Sequence, residues 1–336
     1  MKKLINRPEE FVKETMEGII AAYGDKVKLL DDDYQILLSN YKSREGKVGI
    51  VTAGGSGHLP VFLGYVGQGL LDGCTVGNVF ASPAASKMAD MIRACDQGSG
   101  VLALFGNYGG DRMNFGLACE TVEIEDDIRT KMVLVKDDVA SAPKAEANRR
   151  RGVAGLVYAY KIAGAKAENG GTLEEVALAA QGAIDNMRTM GVALSSCIVP
   201  QVGEPTFNIA EDEIEIGMGI HGEPGVAVRK MMTADQVAEV LLDRITKDMS
   251  LNSGDEVSVM VNGLGATPLE EQFIVYRRVH KMLSEQGIRM YMPHIGEYAT
   301  SMEMAGLSLT IMKLDDERKA LLGQVAQSPF YTNYNK

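Results

Sequence analysis

Short apolar runs rich in β-branched residues recur along the first half of the chain, and each one ends in glycine or polar residues. The runs at 47–52, 74–80, 100–105 and 131–135 predict strands, and residues 84–95 predict a helix. Strand and helix alternate through this half, which is typical of a layered α/β sheet. In such sheets ligands bind at the carboxyl ends of the strands, so the glycine-rich loops there become the first places to look for chemistry.

The second half continues the same kind of pattern. Residues 154–191 are rich in alanine and predict helix, as a bridge between the halves. Acidic and apolar residues alternate over 211–216, which predicts a strand with one wet face. Helices are predicted at 234–247 and 269–286, and further strands at the following positions: 255–261, 288–292 and 307–313.

A chain of 336 residues is long enough for two domains, each with its own core. We predict an α/β fold of two layered domains, each with a mainly parallel or mixed sheet flanked by helices. The first domain, 1–190, carries the loops of His58 and Asp111. The second, 191–336, carries the loop of His221.

Composition and charge indicate in which compartment the protein is expected and which classes of partner it could bind. No run approaches 18 apolar residues and the N-terminus lacks the apolar core of a signal peptide, so no membrane span or export is expected. Four scattered cysteines without a C-x-x-C pair suggest reduced, buried thiols in a cytoplasmic protein: Cys74, Cys95, Cys119 and Cys197. A net charge of −11 argues against direct binding to nucleic acid and leaves a protein partner possible.

Three polar residues stand in glycine-rich loops where chemistry is expected: His58, Asp111 and His221. The loop 217–225 holds four glycines, one proline and His221, whose imidazole is suited to act as nucleophile or proton carrier near neutral pH. An ordinary tight loop in which the histidine caps a carbonyl is the alternative. The G-x-G-x-x-G in this loop is not a dinucleotide site, because Pro224 prevents a helix from opening at its third glycine.

The sequence gives little support for a metal site, a nucleotide site or a serine nucleophile. No histidine or cysteine pair has metal-ligand spacing, and no phosphate-binding P-loop motif occurs. Ser56 lies in G-G-S-G-H, which is not a nucleophile elbow. The run 149–151 of three arginines fits either an anion site or a basic helix start beside solvent. His280 and His294 are interpreted as structural.

Several strings together resemble the substrate-binding subunit of dihydroxyacetone kinase, in order and over essentially the whole chain. They are G-G-S-G-H at 54–58, G-Y-V-G-Q-G at 64–69, F-A-S-P at 80–83, N-Y-G-G-D-R-M-N-F at 107–115, R-R-G-V-A at 150–154, G-I-H-G-E-P-G at 219–225 and L-G-A-T-P at 264–268. The resemblance implies two α/β domains and a homodimer.

The resemblance also implies roles for particular residues. His221 would bind dihydroxyacetone covalently, its ring nitrogen adding to the ketone to give a hemiaminal, while Asp111 and His58 would assist proton transfer and hydrogen-bond the ligand. The ligand would lie against Gly55, Ser56, Gly57, Gly106 and Gly222. No cofactor is expected in this chain, because ADP or ATP and magnesium would belong to a separate nucleotide-binding subunit.

The chain departs from the family pattern beside these residues. Leu59 replaces a usual glutamate, Phe62 stands where a histidine is frequent, and Gly106 replaces a usual lysine. Because the anchoring residues remain while a cation is lost, the leading hypothesis is a co-activator that binds dihydroxyacetone and partners a TetR-type transcription regulator of the kinase operon. The alternative is a working kinase subunit for dihydroxyacetone or a related ketose such as erythrulose. A purely scaffolding relative is disfavoured.

Overall fold

The computed structural model describes residues 2–334 and divides them into two compact units. Unit 1 contains the chain up to Val135, Leu156–Gly182 and the chain from Ala320 onward, whereas unit 2 contains Lys136–Gly155 and Ala183–Lys319. These ranges differ from a single boundary after residue 190. The segment Lys136–Gly155 lies in unit 2 because the backbone on either side of Asp138 forms two hydrogen bonds with the backbone of Thr189, of 2.8 and 3.0 Å.

Unit 1 is built on a six-stranded mixed sheet in the order β1-β2-β4-β3-β5-β6. Strands β3, β4, β5 and β6 are parallel, and the β1–β2 hairpin adds an antiparallel edge that the apolar pattern did not reveal. The strands are β1 Val27–Leu30, β2 Asp33–Ser39, β3 Gly49–Ser56, β4 Gly73–Val79, β5 Val101–Gly106 and β6 Thr130–Val135. The helices are α1 Phe11–Tyr23, α2 Ala85–Cys95, α3 Gly109–Asp126, α4 Leu156–Glu168 and α5 Leu173–Asp185, which leads the chain into unit 2.

Unit 2 has a seven-stranded sheet in the order β11-β10-β13-β7-β8-β9, with β12 also paired to β10. Its strands are β7 Met187–Ala193, β8 Glu213–Ile216, β9 Ala227–Lys230, β10 Glu256–Gly263, β11 Arg289–Met290, β12 His294–Gly296 and β13 Gly306–Leu314. Helices α6 Ala234–Asp248 and α7 Leu269–Glu285 cover the sheet and bury its core. The chain then returns to unit 1 through α8 Asp316–Gly323 and the short strands β14 Ala326–Gln327 and β15 Thr332–Asn333.

Local sequence signals account for where several elements begin. Thr233 caps α6: its hydroxyl accepts from the backbone N–H of Gln236 at 3.3 Å, and the Gln236 side chain accepts from the Thr233 N–H at 2.9 Å. This reciprocal capping box satisfies two backbone donors that a helix start leaves unpaired. In β8, Ile214 and Ile216 are buried while the two glutamates between and before them are half-exposed, as the alternating pattern predicts.

The prediction of α/β sheets flanked by helices is confirmed, but the prediction that residues 154–191 are all helical is wrong. Gly170, with φ of +82°, interrupts the segment between α4 and α5. Residues from Met187 onward form β7, since they pair with β13 from Met187 opposite Met312 to Ala193 opposite Gly306. Pairing within a buried sheet outweighs the local helical preference here. All four cysteines are buried and none of them forms a disulfide, and no helix within residues 2–334 has the length and apolarity needed to cross a membrane.

Candidate functional site

The loops that carry His58 and Asp111 lie at the same edge of the unit 1 sheet. Strand β3 runs parallel to both β4 and β5, so the carboxyl ends of all three strands meet at that edge. His58 follows β3, Phe80 follows β4, and Asp111 lies in the first turn of α3 after β5. The structure therefore brings these loops together as neighbours.

His58 is enclosed by aromatic rings. Its side chain is buried, with 1% exposure, and its ring stacks on Phe80 with centroids 4.8 Å apart and meets Phe62 edge-on at 5.9 Å. Glycine is required beneath this arrangement, because a Cβ at Gly54 would overlap the Phe62 ring and one at Gly55 would lie 2.6 Å from the Ala81 nitrogen. Phe62, a departure from the family pattern, thus forms one wall around His58.

Asp111 is buried at the start of α3. A carboxylate in this first turn is stabilised by the helix dipole. The start of α3 packs closely on the loop after β4: a Cβ at Gly110 would lie 2.6 Å from Ser82 Oγ, and Asn114 Nδ2 donates to the Pro83 carbonyl at 2.8 Å. These contacts hold the backbone on which Asp111 is carried.

The predicted ligand-contacting residues of unit 1 are mainly backbone positions. The Ser56 hydroxyl donates to the Gly77 carbonyl at 2.8 Å, so its proton is used within the protein. Gly57 has φ of +101°, a conformation that side chains other than glycine rarely adopt. Gly106 is the buried last residue of β5, opposite Val135 of β6.

In unit 2, His221 lies in the loop 217–226 that joins β8 to β9. These two strands are antiparallel, with Ile216 opposite Ala227, so the loop leaves and re-enters the sheet at adjacent positions. Gly222 has φ of +89°, and Gly225 packs so closely on the Ile216 carbonyl that a Cβ there has no room. The glycines therefore give the loop its shape, and the His221 side chain is partly exposed.

Glu223 holds His221 through both of its carboxylate oxygens. His221 Nδ1 lies 2.9 Å from Oε1, and the His221 backbone N–H donates to Oε2 at 2.6 Å. Burial raises the pKa of Glu223, but the hydrogen bonds and charge of His221 and the charge of Arg151 lower it more, giving a pKa of about 2. Of the two neutral tautomers of the imidazole, an ionised Glu223 favours the one with its proton on Nδ1, which places the ring's lone pair on Nε2. The sequence interpretation did not single out Glu223; its signal was a carboxylate two residues after a histidine in a glycine loop.

Arg151 fastens the His221 loop to the rest of unit 2. Its guanidinium lies 2.7 Å from Asp138 Oδ2, donates to the Gly217 carbonyl at 3.1 Å and lies 3.7 Å from Glu223 Oε2. Burial raises the pKa of Asp138, against the opposing charge of Arg151, to about 6. The loop thus rests on a charged network whose members come from three segments of the chain.

The structure corrects the interpretation of the three arginines at 149–151. Arg150 is buried, with 1% exposure, and its guanidinium pairs bidentately with Asp248 at 2.9 and 2.5 Å, while Arg188 lies 2.5 Å from the same carboxylate. Only Arg149 lies in solvent, where it pairs with Glu146. The run is therefore not a basic helix start, and its three members do not form one anion site together, because they have separate partners.

The predicted residues are divided between the units. His58, Asp111, Gly55, Ser56, Gly57 and Gly106 belong to unit 1, and His221 and Gly222 belong to unit 2. Within unit 1 the acid and the histidine occupy neighbouring loops. Within unit 2, His221 contacts the carboxylate of Glu223, and these contacts orient the imidazole ring.

Comparison with known proteins places this arrangement in a family. A family model described as the Dak1 domain matches residues 17–330. The chain belongs to the Dak1 domain family. The dihydroxyacetone-binding subunit DhaK of PTS-dependent dihydroxyacetone kinase 1 from Listeria innocua is 45% identical over 318 residues, covering 95% of this chain and 96% of that protein. The L-erythrulose kinase of Pectobacterium atrosepticum is 43% identical, covering 98% of this chain and 56% of that protein.

The solved structures agree with this assignment. The structure described as dihydroxyacetone kinase operon co-activator Dha-DhaQ matches with a TM-score of 0.89 at 29% identity, covering 98% of this chain and 100% of that one. The match extends over the whole of that chain, so the two-unit α/β architecture is that of the family.

Proposed function

We propose that this protein binds dihydroxyacetone, or a closely related short ketose, as a covalent adduct on His221. The observation that carries the proposal is the 2.9 Å contact between His221 Nδ1 and the Glu223 carboxylate, which directs the lone pair to Nε2. A neutral imidazole nitrogen is a competent nucleophile toward a carbonyl carbon. We infer the substrate class from the dihydroxyacetone-binding and erythrulose-phosphorylating relatives. We infer the nucleophile from the geometry of the His221 loop.

The reaction on the loop is a simple addition. Nε2 forms a bond to the ketone carbon, the C=O π electrons move to the oxygen, and that oxygen takes up a proton from solvent to give the hydroxyl of a hemiaminal. The ring becomes positively charged as the bond forms, and the ionised Glu223 stabilises that charge through Nδ1–H. Loss of the Nδ1 proton to solvent returns the ring to neutrality, so atoms and charge balance.

This chemistry selects ligands by their functional group. A ketone can be attacked, whereas glycerol has the same three carbons but no carbonyl and forms no adduct. The roles expected for His58 and Asp111, proton transfer and hydrogen bonding to ligand hydroxyls, remain predictions of the family resemblance that single variants can test.

For the fate of the bound ketose, the kinase role is the better supported of two. Identity to the Listeria kinase subunit is 45% and to the L-erythrulose kinase 43%, over nearly the whole of this chain. These values favour a substrate-binding subunit that presents the ketose to a separate nucleotide-binding protein. Both dihydroxyacetone and erythrulose are therefore candidate substrates.

The co-activator role is the second candidate, and specific residues favour it. Gly106 lacks the side chain of the usual lysine, and Leu59 lacks the carboxylate of the usual glutamate. Losing a cation near a transferred phosphoryl group removes transition-state stabilisation. On this alternative the protein binds the ketose and then engages a TetR-type regulator, and it performs no transfer. The homodimer expected from the resemblance belongs to both roles.

Both roles require a protein partner, and helix α3 offers a surface for one. Met113, Leu117 and Ile124 are 71%, 57% and 76% exposed, and their spacing places them on one face of the helix. Gly116 adjoins that face, and a Cβ there would meet no atom within 4 Å. Exposed Glu120 lies within the stripe. In the kinase role, we assign this face to the nucleotide-binding subunit, with Glu120 suited to a basic residue of that partner.

Native mass spectrometry with dihydroxyacetone, with glycerol as the matched polyol, tests the binding step. The proposal expects one dihydroxyacetone per chain, no glycerol, and loss of the adduct in His221→Ala. A coupled kinase assay with a nucleotide-binding subunit then separates the roles: turnover supports the kinase subunit, and adduct without turnover supports the co-activator. Absence of any adduct with dihydroxyacetone or erythrulose overturns both.

A further inference from the structure

Unit 2 contains a second concave feature, which lies apart from the His221 side chain. It is a cleft of about 220 Å³ between the segment 139–150, strand β7, the end of the His221 loop and helix α6. Its charged lining residues are Lys144, Arg150, Arg244, Lys247 and Asp248. Four of these carry a positive charge and one a negative charge, a net of +3 in a chain whose net charge is −11. Such a concentration of positive charge against the overall sign of the protein attracts anions.

Two of these cations have no carboxylate to neutralise them. Arg150 pairs with Asp248 at 2.5 Å, and Lys247 pairs with Asp243 at 2.7 Å. By contrast, neither Lys144 nor Arg244 forms an ion pair within the part of the chain that the structure describes, residues 2–334. Both side chains line the cleft from exposed positions, so an incoming anion would gain two cationic partners without breaking an existing pair.

The part of the cleft lining formed by Arg150 and Asp248 is stabilised by ion pairs. Arg150 and Arg188 both bind Asp248, and although burial raises the pKa of Asp248, their hydrogen bonds lower it to about 2. Asp248 is therefore ionised at neutral pH. The group of two arginines and one carboxylate, of which Arg150 and Asp248 line the cleft, therefore keeps a net positive charge.

The remaining lining is apolar. Met190 is buried, and Ala140 and Val226 contact or belong to the ends of the His221 loop. Val226 is the last residue of that loop and donates its N–H to the Ile216 carbonyl at 2.8 Å, while a Cβ on Gly217, the first residue, would lie 2.5 Å from Ala140 Cβ. A ligand in the cleft would thus rest against both ends of the loop that carries His221.

We propose that this cleft is a binding site for a small molecule that carries a phosphate or carboxylate group on a short apolar body. The anionic group pairs with Lys144 and Arg244, and the body packs on Met190, Ala140 and Val226. The site is distinct from the ketose adduct and does not depend on it, because no residue of the His221–Glu223 pair lines the cleft.

Isothermal titration calorimetry at low ionic strength tests the site with two probes, inorganic phosphate and phenyl phosphate. We expect phenyl phosphate to bind more tightly than inorganic phosphate, because only it fills the apolar half. The double variant Lys144→Ala/Arg244→Ala should bind phenyl phosphate at least about tenfold more weakly, as loss of charge-assisted hydrogen bonds implies. Arg289→Ala, which removes an exposed cation of the same unit outside the cleft, is the matched control and should bind as the wild type does.

Lys144 and Arg244 make no ion pair whose loss would unfold the protein, and a thermal melt of the double variant verifies this. Failure of the wild type to bind phenyl phosphate would overturn the proposal, as would equal affinity of the double variant and the wild type. Equal affinity for the two probes would contradict the apolar half of the site. Because the ketose adduct is measured separately on His221, failure here leaves the proposed function untouched.

Discussion

The carboxylate of Glu223 binds His221 twice, at the ring Nδ1 at 2.9 Å and at the backbone N–H at 2.6 Å. One residue therefore fixes the orientation of the imidazole and, in the neutral ring, favours the tautomer with its proton on Nδ1. In the proposed function, this pairing activates as a nucleophile a histidine that sequence patterns leave open to a structural explanation.

Replacing the carboxylate should weaken that activation. Glu223→Gln keeps the size of the side chain but removes its charge, so we expect the apparent affinity for dihydroxyacetone to fall about tenfold or more, as loss of a charge-assisted hydrogen bond implies. Titration by native mass spectrometry measures the adduct. Glu213→Gln, at a half-exposed position in the neighbouring strand β8, is the control and should leave the adduct unchanged. Equal loss in both variants would mean that Glu223 acts only on the general stability of the region.

The low pKa of Glu223 predicts a pH dependence of stability. Its pKa falls from the ordinary 4.5 to about 2 on folding, so its ionised form stabilises the folded protein fully above about pH 4.5, and that contribution is lost as the pH falls toward 2. We expect the difference in stability between wild type and Glu223→Gln to shrink as the pH falls from about 4.5 toward 2. Urea unfolding across this range measures the difference. A difference that grows as the pH falls from 4.5 to 2 would contradict the assignment.

The buried Arg150–Asp248 pair makes a strong prediction about stability. Asp248→Ala leaves the guanidinium of Arg150 buried without its carboxylate, so we expect a loss of about 3–5 kcal/mol in the free energy of unfolding. Asp243→Ala on the same helix breaks an exposed pair with Lys247 and should cost about 1 kcal/mol or less. Urea denaturation of the two variants gives the comparison, and similar losses would show that Arg150 finds another partner or water.

The α3 surface can be tested without harming the fold. Gly116→Arg places a large side chain into open space beside Met113 and Leu117, and it replaces a poor helix former. We expect at least about tenfold weaker binding of the nucleotide-binding subunit, with unchanged ketose adduct and unchanged or higher thermal stability. Gly18→Arg on α1, where a Cβ also meets nothing within 4 Å, is the matched control. Normal partner binding by Gly116→Arg would remove α3 from the interface.

The alternation of strand and helix and the positions of the glycine-rich loops followed from local patterns, and so did His58, Asp111 and His221 as residues of interest. Alternation identified β8, and glycine after an apolar run located the ends of β3 and β5. Non-local pairing escaped the same reasoning. Residues 187–193 directly follow an alanine-rich helical stretch but pair with β13, and the segment 136–155 joins unit 2 through Thr189, about 50 residues away.

The contacts that define the chemistry were also out of reach of the sequence. Glu223 was visible only as part of a motif, and Arg151 was one of three adjacent arginines with no sign of which would be buried. Their importance comes from distances between side chains on separate segments: Arg151 reaches Asp138, Gly217 and Glu223. Spacing along a chain does not encode such convergence.

The most direct measurement of the central claim is ¹³C NMR of the protein with dihydroxyacetone labelled at its ketone carbon. A covalent adduct on His221 converts that carbon from trigonal to tetrahedral, so the account predicts a protein-bound resonance far upfield of the ketone signal. The same resonance should be absent in His221→Ala and unaffected by Glu213→Gln. A bound ligand whose labelled carbon keeps its ketone shift would contradict the covalent account, as would an upfield signal that persists without His221.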